Sequence, residues 1–552
     1  MDFDLERINA WNTDHLPIYE PGLLEVLKPA RDGIPGLRRP NLFFSTDIKG
    51  AIKKADLIFL CVPTPTKATG TGAGRAADMV YVEAAARMIA GLAESDKIVV
   101  EKSTVPCRTA ENIRKTFDAI ARPGLHFEIL SNPEFLAEGT AINDLLKPDR
   151  VLIGSLKTTR GMQAAADLAQ MYNRWIPHYR LITMNLWSSE MAKLSANALL
   201  AQRISSINAL SAVCEATGAD IEEVSYACGL DNRIGSRMLK SSVGFGGSCF
   251  KKDVLALVYI AQTHNLPEVA AYWKGVIDIN EYQKARFIKR IVKCLFNTLT
   301  GKKVAILGYA YKKDTGDTRE SAAIGIVNHL IKENAEVNIY DPKVEKEQIW
   351  QSLKESNDER TFDHVISRVS VCQTPYEACQ GTDAVVIATE WDEFSNKTEP
   401  IESPRTTLQV PRARSTDFGP AIPSRDSSSR SSFVDTGFHS STSDITTETP
   451  LSSMSRDSSL SGGVLQGWSL TDTLGLGGPA ARKGSDDKAA DLGYPDLAGD
   501  QHLEREKKKV DWSRVAGIMR KPMYVFDGRN VVDPEKLKKL GFFVEGIGKP
   551  GV

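Results

Sequence analysis

The chain alternates short runs of large apolar residues with amphipathic stretches. From Asp56, "DLIFLCV" is bulky and apolar and is followed by "PTPTK", the pattern of a buried strand ending in a loop. "KIVVEKSTVP" at 97–106 and "HFEILSNPEF" at 126–135 repeat it. The intervening "DMVYVEAAARMIAGLAES" and "RTAENIRKTFDAIA" carry helical periodicity with charges on one side. Strands alternating with helices predict a parallel, doubly wound α/β sheet with ligand loops at the strand C-termini. Ser188 to Asp220, "SSEMAKLSANALLAQRISSINALSAVCEATGAD", reads as one long helix opened by serines with Glu190 close behind, as at a helix N-terminus. Lys193 and Asn197 are four apart and project from one face, as a catalytic pair or as a solvated polar pair. Helical patterning continues to about 297. A second α/β unit follows, with "VAILGY", "EVNIYDP" and "DAVVIATEW" as strands and "PMYVFDGRNVVD" as the last strand of the same sheet. The predicted domains are 1–185, 186–297 and 298–552.

Composition changes this picture in one place. From about 395 to 509, Ser, Thr, Gly, Pro and Asp dominate, as in "SRDSSSRSSF", and periodic apolar positions are few. Such a stretch cannot bury enough surface to offset its ordering entropy, so a disordered insertion is expected there. Arginines shortly before serines make phosphorylation of the insertion a second expectation.

At 552 residues the chain exceeds one ordinary core. Its 69 Lys and Arg against 70 Asp and Glu leave a net charge of -1, with no global field for nucleic acid or an acidic membrane. No apolar run reaches the ~20 residues of a membrane span, and "MDFDLERINAW" lacks the features of a secretion signal. A cytoplasmic protein binding neither membrane nor nucleic acid is expected. Eight scattered cysteines and eight dispersed histidines have no zinc-like spacing, so no metal is expected and most cysteines read as small buried residues. Cys249 stands apart because a Gly-Gly-Ser turn precedes it and two lysines and an aspartate follow the next residue. As an isolated "GGSC" it is a nucleophile or a structural thiol.

Four stretches in this order carry a family resemblance: "NPEFLAEGTA" (132–141), the Lys193/Asn197 helix, "VGFGGSCFKKD" (243–253) and "YKKDTGDTRES" (311–321). Together they resemble the UDP-glucose/GDP-mannose dehydrogenase family, and specifically its eukaryotic UDP-glucose 6-dehydrogenases, over 1 to about 395 and about 510 to 550. The resemblance implies two Rossmann-like domains joined by a long central helix and a helical dimerisation domain. It also implies NAD-dependent oxidation of UDP-glucose to UDP-glucuronate in a homo-oligomer, dimer-based and up to a hexamer.

Such a reaction removes four electrons from a primary alcohol, so the aldehyde must be retained between two hydride transfers, and a thiol adduct retains it. The resemblance gives Cys249 that role, with Lys252 expected to favour its thiolate. It assigns Lys193 and Asn197 to the alkoxide, Glu134 to the reacting carbon, Thr104 to a water and Asp253 to water orientation or proton transfer. The division of acid and base work among Lys193, Glu134 and Asp253 stays open. By the same resemblance Phe135, Leu136, Glu138, Lys240, Phe245, Gly246, Tyr311, Lys312 and Arg529 contact the nucleotide sugar, and Arg233 serves a neighbouring subunit's site. Val62, Thr64, Pro65, Thr66, Ser103, Thr104, Glu138 and Arg319 contact the cofactor, with Asp2 at its ribose and Arg7 nearby. Asp2 favours NAD over NADP, because a carboxylate repels a 2′-phosphate.

The sequence departs from the family at the pyrophosphate loop. It begins at the end of what would be the second strand, without the first strand, the GxGxxG turn and the first helix; Pro63 also replaces an expected polar residue. A start truncated in the gene model is the simplest account. Poor NAD binding, exposed apolar edges and weak folding of the first domain are the expectations. The alternatives are a sibling acting on GDP-mannose or a UDP-N-acetylhexosamine, and a catalytically impaired paralogue that binds UDP-sugar or regulates by co-assembly.

Overall fold

The computed structural model describes residues 1–397 and 509–549; the Ser-rich insertion and its serines lie outside the described residues, apart from its outermost positions. The first sheet has five strands: β1 Leu57–Leu60, β2 Lys97–Glu101, β3 Phe127–Ser131, β4 Val151–Ser155 and β5 Leu181–Asn185, adjacent in that order. β1 to β3 run parallel, as the three apolar runs predict. β4 lies antiparallel to β3 through Ser131 opposite Gly154, and β5 is parallel to β4. The sheet is therefore mixed at one side, and the sequence reading had not marked β4 or β5 as strands.

The last sheet holds six parallel strands: β6 Lys303–Leu307, β7 Glu336–Tyr340, β8 Val369–Val371, β9 Ala384–Ile387, β10 Met523–Asp527 and β11 Phe542–Gly546, in the order 11-10-9-6-7-8. β6 and β9 are its middle pair, and Val304, Ala305, Ile306, Leu307 and all of "AVVI" in β9 are fully buried. A strand covered on both faces needs such unbroken apolar composition. The sequence places "PMYVFD" as the last strand, but β11 lies outside it. "FFVEG" alternates buried and less buried residues at an edge, a weaker signal than a continuous run.

Between the sheets lie three long helices, Leu186–Thr217, Phe250–Thr263 and Pro267–Cys294, packed through Ala198, Ala201, Phe245, Val254, Val276 and Ile277. The first helix starts two residues before Ser188. Its N-cap is Asn185, whose side chain accepts from the Trp187 and Ser188 amides, which satisfies donors left over at a helix start. Asn280 on the third helix bonds both the amide and the carbonyl of Phe245 and so fixes the loop that leads to Cys249. The insertion leaves the last sheet and re-enters beside the same point: the Val510 amide donates to Glu393 O at 2.8 Å and the Trp512 indole to Phe394 O at 3.2 Å. Among the described residues no helix is long and apolar enough to cross a membrane.

Candidate active site

Cys249 caps the helix Phe250–Thr263 at the floor of a cleft of about 950 Å³. The cleft is lined on one side by Val62–Thr66 after β1, on another by Thr318–Ser321 after β6, and by Gly247, Ser248, Lys251 and Lys252. The two glycines before the cysteine are steric requirements. A Cβ at Gly246 would lie 2.5 Å from Glu320 O, and one at Gly247, which has φ +84°, would lie 2.9 Å from the Tyr311 ring. The turn therefore presses against the "YKKDTGDTRES" loop, and the Gly247 amide donates to Arg319 O at 2.8 Å.

The Lys193/Asn197 face turns inward, and both side chains are buried. Lys193 Nζ is 3.0 Å from Glu134 Oε1 and sits over the Phe135 ring. Asn197 Nδ2 donates to Asp253 Oδ2 at 2.6 Å. Asp253, itself 1 % exposed, is 3.4 Å from Lys252 Nζ, which donates at 3.0 Å to Thr64 Oγ1. The Thr64 hydroxyl in turn donates to Thr104 O at 2.7 Å. One continuous chain of contacts thus joins the central helix, the cysteine's helix and the loops after β1 and β2. Thr64 and Lys252 are its link, which sequence spacing could not reveal because they are 188 positions apart.

Burial pushes the Asp253 carboxyl up despite its lysines and Asn197, so it can take up a proton near neutral pH more readily than an ordinary aspartate. The Cys249 thiol also moves up. Burial dominates, Asp253 adds to it, and Ser248, Lys193 and Lys252 oppose it. Lys252 does favour the thiolate, as expected, but burial outweighs it.

The substrate-side candidates divide. Glu138 is held from the last domain by Lys312 Nζ on its carbonyl (2.6 Å), Thr315 Oγ1 on its carboxylate (2.9 Å) and Arg319 at 3.8 Å. Burial and Asp317 push its carboxyl up against these three. Arg529 is buried and tied to Ala388 O, Tyr311 O and Glu390, so it braces the Tyr311 loop. Phe245 is buried, packs edge-on against Phe250 and is not surface-accessible. Leu136 and Lys240 are exposed. Arg233 is 89 % exposed and paired with Asp231, so it does not enter its own chain's cleft. Ser103 Oγ donates to Val62 O at 2.6 Å and so shapes the cofactor loop. Asp2 and Arg7 form an exposed pair at 3.6 Å and do not line the cleft.

The sequence reading missed Lys102, whose ammonium donates to Asn132 Oδ1 and Tyr172 and whose pKa burial lowers. A lysine directly after an apolar strand and two residues before Thr104 was the available signal. The expectation of mostly buried cysteines is corrected: only Cys214 and Cys379 are buried, Cys61 and Cys228 are exposed, and Cys249 opens to the cleft although packed protein surrounds most of its thiol. Among the described residues no group of His, Cys, Asp and Glu is arranged to hold a metal.

Comparison with known proteins places this geometry. Three domain profiles of the UDP-glucose/GDP-mannose dehydrogenase family match: the NAD binding domain over 1–176, the central domain over 187–282 and the UDP binding domain over 305–408. A UDP-glucose 6-dehydrogenase of Drosophila melanogaster is 60% identical over 394 residues, covering 71% of this chain and 81% of that protein. UDP-glucose 6-dehydrogenase 1 of Oryza sativa subsp. japonica is 45% identical over 560 residues, covering 100% of this chain and 91% of its own. Among solved structures, a UDP-glucose dehydrogenase from Pyrobaculum islandicum superposes with a TM-score of 0.60 at 31% identity, over 71% of this chain and 83% of that one. With its domain order, its two sheets and its cysteine cleft, the chain belongs to the UDP-glucose/GDP-mannose dehydrogenase family.

Proposed function

We propose that the protein is an NAD-dependent UDP-glucose 6-dehydrogenase that oxidises UDP-glucose to UDP-glucuronate by way of covalent adducts on Cys249. The observation that carries the reading is that Cys249 and Lys252 line one cleft while Lys252 is joined through Asp253 to Asn197 on the same helix face as the Lys193–Glu134 pair. NAD, when bound, accepts a hydride at each of the two oxidation steps. The residues present fit such a group, because Lys251, Lys284 and Arg319 bring cations to the cleft for a diphosphate and the Val62–Thr66 loop opens onto it. Val62, Thr64, Pro65, Thr66, Ser103, Thr104, Glu138 and Arg319 would hold it, with Asp2 and Arg7 at the ribose end.

In this reading Lys193 takes the alcohol proton, and its ammonium with Asn197 stabilises the alkoxide as hydride leaves. Cys249 then adds to the aldehyde carbon and its proton passes to the new hydroxyl oxygen. Lys193, having released its first proton, takes the thiohemiacetal's hydroxyl proton as the second hydride leaves, and a thioester results. Asp253 and Glu134 accept the proton of the water that hydrolyses it, freeing the thiol. In the same reading Tyr311, Lys312 and Lys240 serve the nucleotide end and Phe135, Leu136 and Gly246 the sugar end, while Arg529 acts through the Tyr311 loop that it braces and Phe245 through the turn above it.

We further propose three domains, 1–185, 186–297 and 298–552, and a homo-oligomer in the cytoplasm. Leu199, Leu210 and Val213 leave apolar surface on the central helix, and the outward-facing Arg233 is available to a neighbouring copy. Purified protein given UDP-glucose and NAD should form two NADH per sugar. Binding of UDP-glucose with no NADH would instead support the impaired-paralogue reading, and faster turnover of GDP-mannose or a UDP-N-acetylhexosamine would support the sibling reading.

A further inference from the structure

Glu101 ends β2, three residues before Thr104, and is 1 % exposed. Neither of its carboxyl oxygens receives a hydrogen bond from a donor. A buried carboxylate without donors or a cation is costly by several kcal/mol, so such a group requires an explanation. Among the described residues the titratable side chain that acts on it is another carboxyl, Glu190.

Glu190 is 2 % exposed on the central helix, three residues and nearly one turn before Lys193. Its sequence context suggested a role at the start of its own helix, but its carboxylate serves a different one. Oε2 accepts the Arg108 amide at 2.6 Å and Oε1 the Ala110 amide at 2.9 Å, at the start of the helix Thr109–Ile120. Glu190 thereby clamps the loop that leaves Thr104 onto the helix that carries Lys193. The remaining titratable neighbour is the Cys107 thiol in that loop, which Glu190 and burial both push up. The Arg108 guanidinium lies over the Trp187 ring. Lys102 is turned to Asn132 and Tyr172, on the other face of the strand end.

We propose that Glu101 is kept as a neutral carboxylic acid that shares one proton with Glu190, and that this pair positions the Thr104 loop against Lys193. Burial pushes the Glu190 carboxyl up as well, but the Ala110 and Arg108 amides oppose it there and no donor does so at Glu101, so the single negative charge rests on Glu190 and Glu101 supplies the third hydrogen bond. Glu101 and Glu190 are positioning residues and touch neither substrate nor cofactor. Burial first, then Glu190, hold the Glu101 carboxyl above its ordinary range. A folded-state pKa raised above the unfolded one means that the native state binds the proton more tightly. Its contribution is complete below the ordinary carboxylate pKa and is lost as pH rises towards the raised value.

The test is infrared difference spectroscopy of wild type against Glu101→Gln at neutral pH, paired with thermal unfolding across pH. A protonated-carboxyl carbonyl band missing from the variant is expected, together with a flatter decline of melting temperature with rising pH. Because glutamine keeps a neutral donor, Glu101→Gln should hold kcat within about twofold, whereas Glu190→Gln should lower it about tenfold through loop misplacement, with KM for UDP-glucose little changed. If Glu101→Gln does not fold, the Glu190→Gln difference spectrum decides, since the Glu101 band must shift when its neighbour becomes neutral. Identical spectra and superimposable pH profiles overturn the pair. The spectroscopic and unfolding readouts need no turnover, so they fail independently of the dehydrogenase reading on which the kinetic arm rests.

Discussion

The two sheets follow the same βα logic yet differ in how they are closed. In the last sheet β6 and β9 sit between partners on both sides and their apolar residues are fully buried. In the first, among the described residues, β1 is paired with β2 alone and reads half-buried, half-buried, exposed, buried; Phe59 is 37 % and Phe43 72 % exposed. The difference teaches that the two halves of the cleft are held by different means. The Tyr311–Ser321 loop rests on a complete core, braced by Arg529. The loops after β1 and β2 are held instead by polar ties to their neighbours, through Lys252–Thr64, Ser103–Val62 and Glu190–Arg108.

The widest test of that contrast bears on the thiol that both halves serve. Cys249→Ser should lower NADH formation roughly 10³-fold or more, because a hydroxyl cannot replace the thiolate as an aldehyde trap. Wild-type turnover in the variant would remove the covalent mechanism. Since the thiol lies above its ordinary pKa, single-turnover adduct formation in the wild type should accelerate as pH is raised. Next, Ile306→Ala in the closed sheet should cost about 2–5 kcal/mol in chemical denaturation, the range for removing a fully buried side chain. Gly247→Ala meets both a positive φ and the Tyr311 ring, so about 1–3 kcal/mol is expected, with a fall in kcat as the turn before Cys249 shifts. The smallest effect belongs to the open edge, where Phe59→Ala should cost under about 1 kcal/mol. Equal losses for Ile306→Ala and Phe59→Ala would break the contrast between the sheets.

Much of the site was legible where function is written in short spacings. Lys193 and Asn197 four apart, and Cys249 four before Asp253, share helix faces whatever the fold does around them. The buried strands β2, β3, β6 and β9 were legible because burial on both faces demands unbroken apolar runs. β5 was not, since "LITMN" is only partly buried, and β11 was not, since an edge strand alternates. Glu190 shows the limit most clearly. Its place after two serines fits a helix start, and it does cap a helix start, but that of a helix 80 residues earlier in the chain.

Sequence alone therefore determined the family, the alternation of strands and helices, and the pairing of Lys193 with Asn197 on one helix face. These depend on local periodicity and on motifs a few residues long. Only the tertiary structure decided that Lys252 reaches Thr64, that Arg529 is a buried brace while Arg233 points away, that burial outweighs the lysines at Cys249, and that Glu101 is buried without a donor. Each of these depends on which surfaces lose water together, and desolvation is a property of the packed interior that no window of sequence contains.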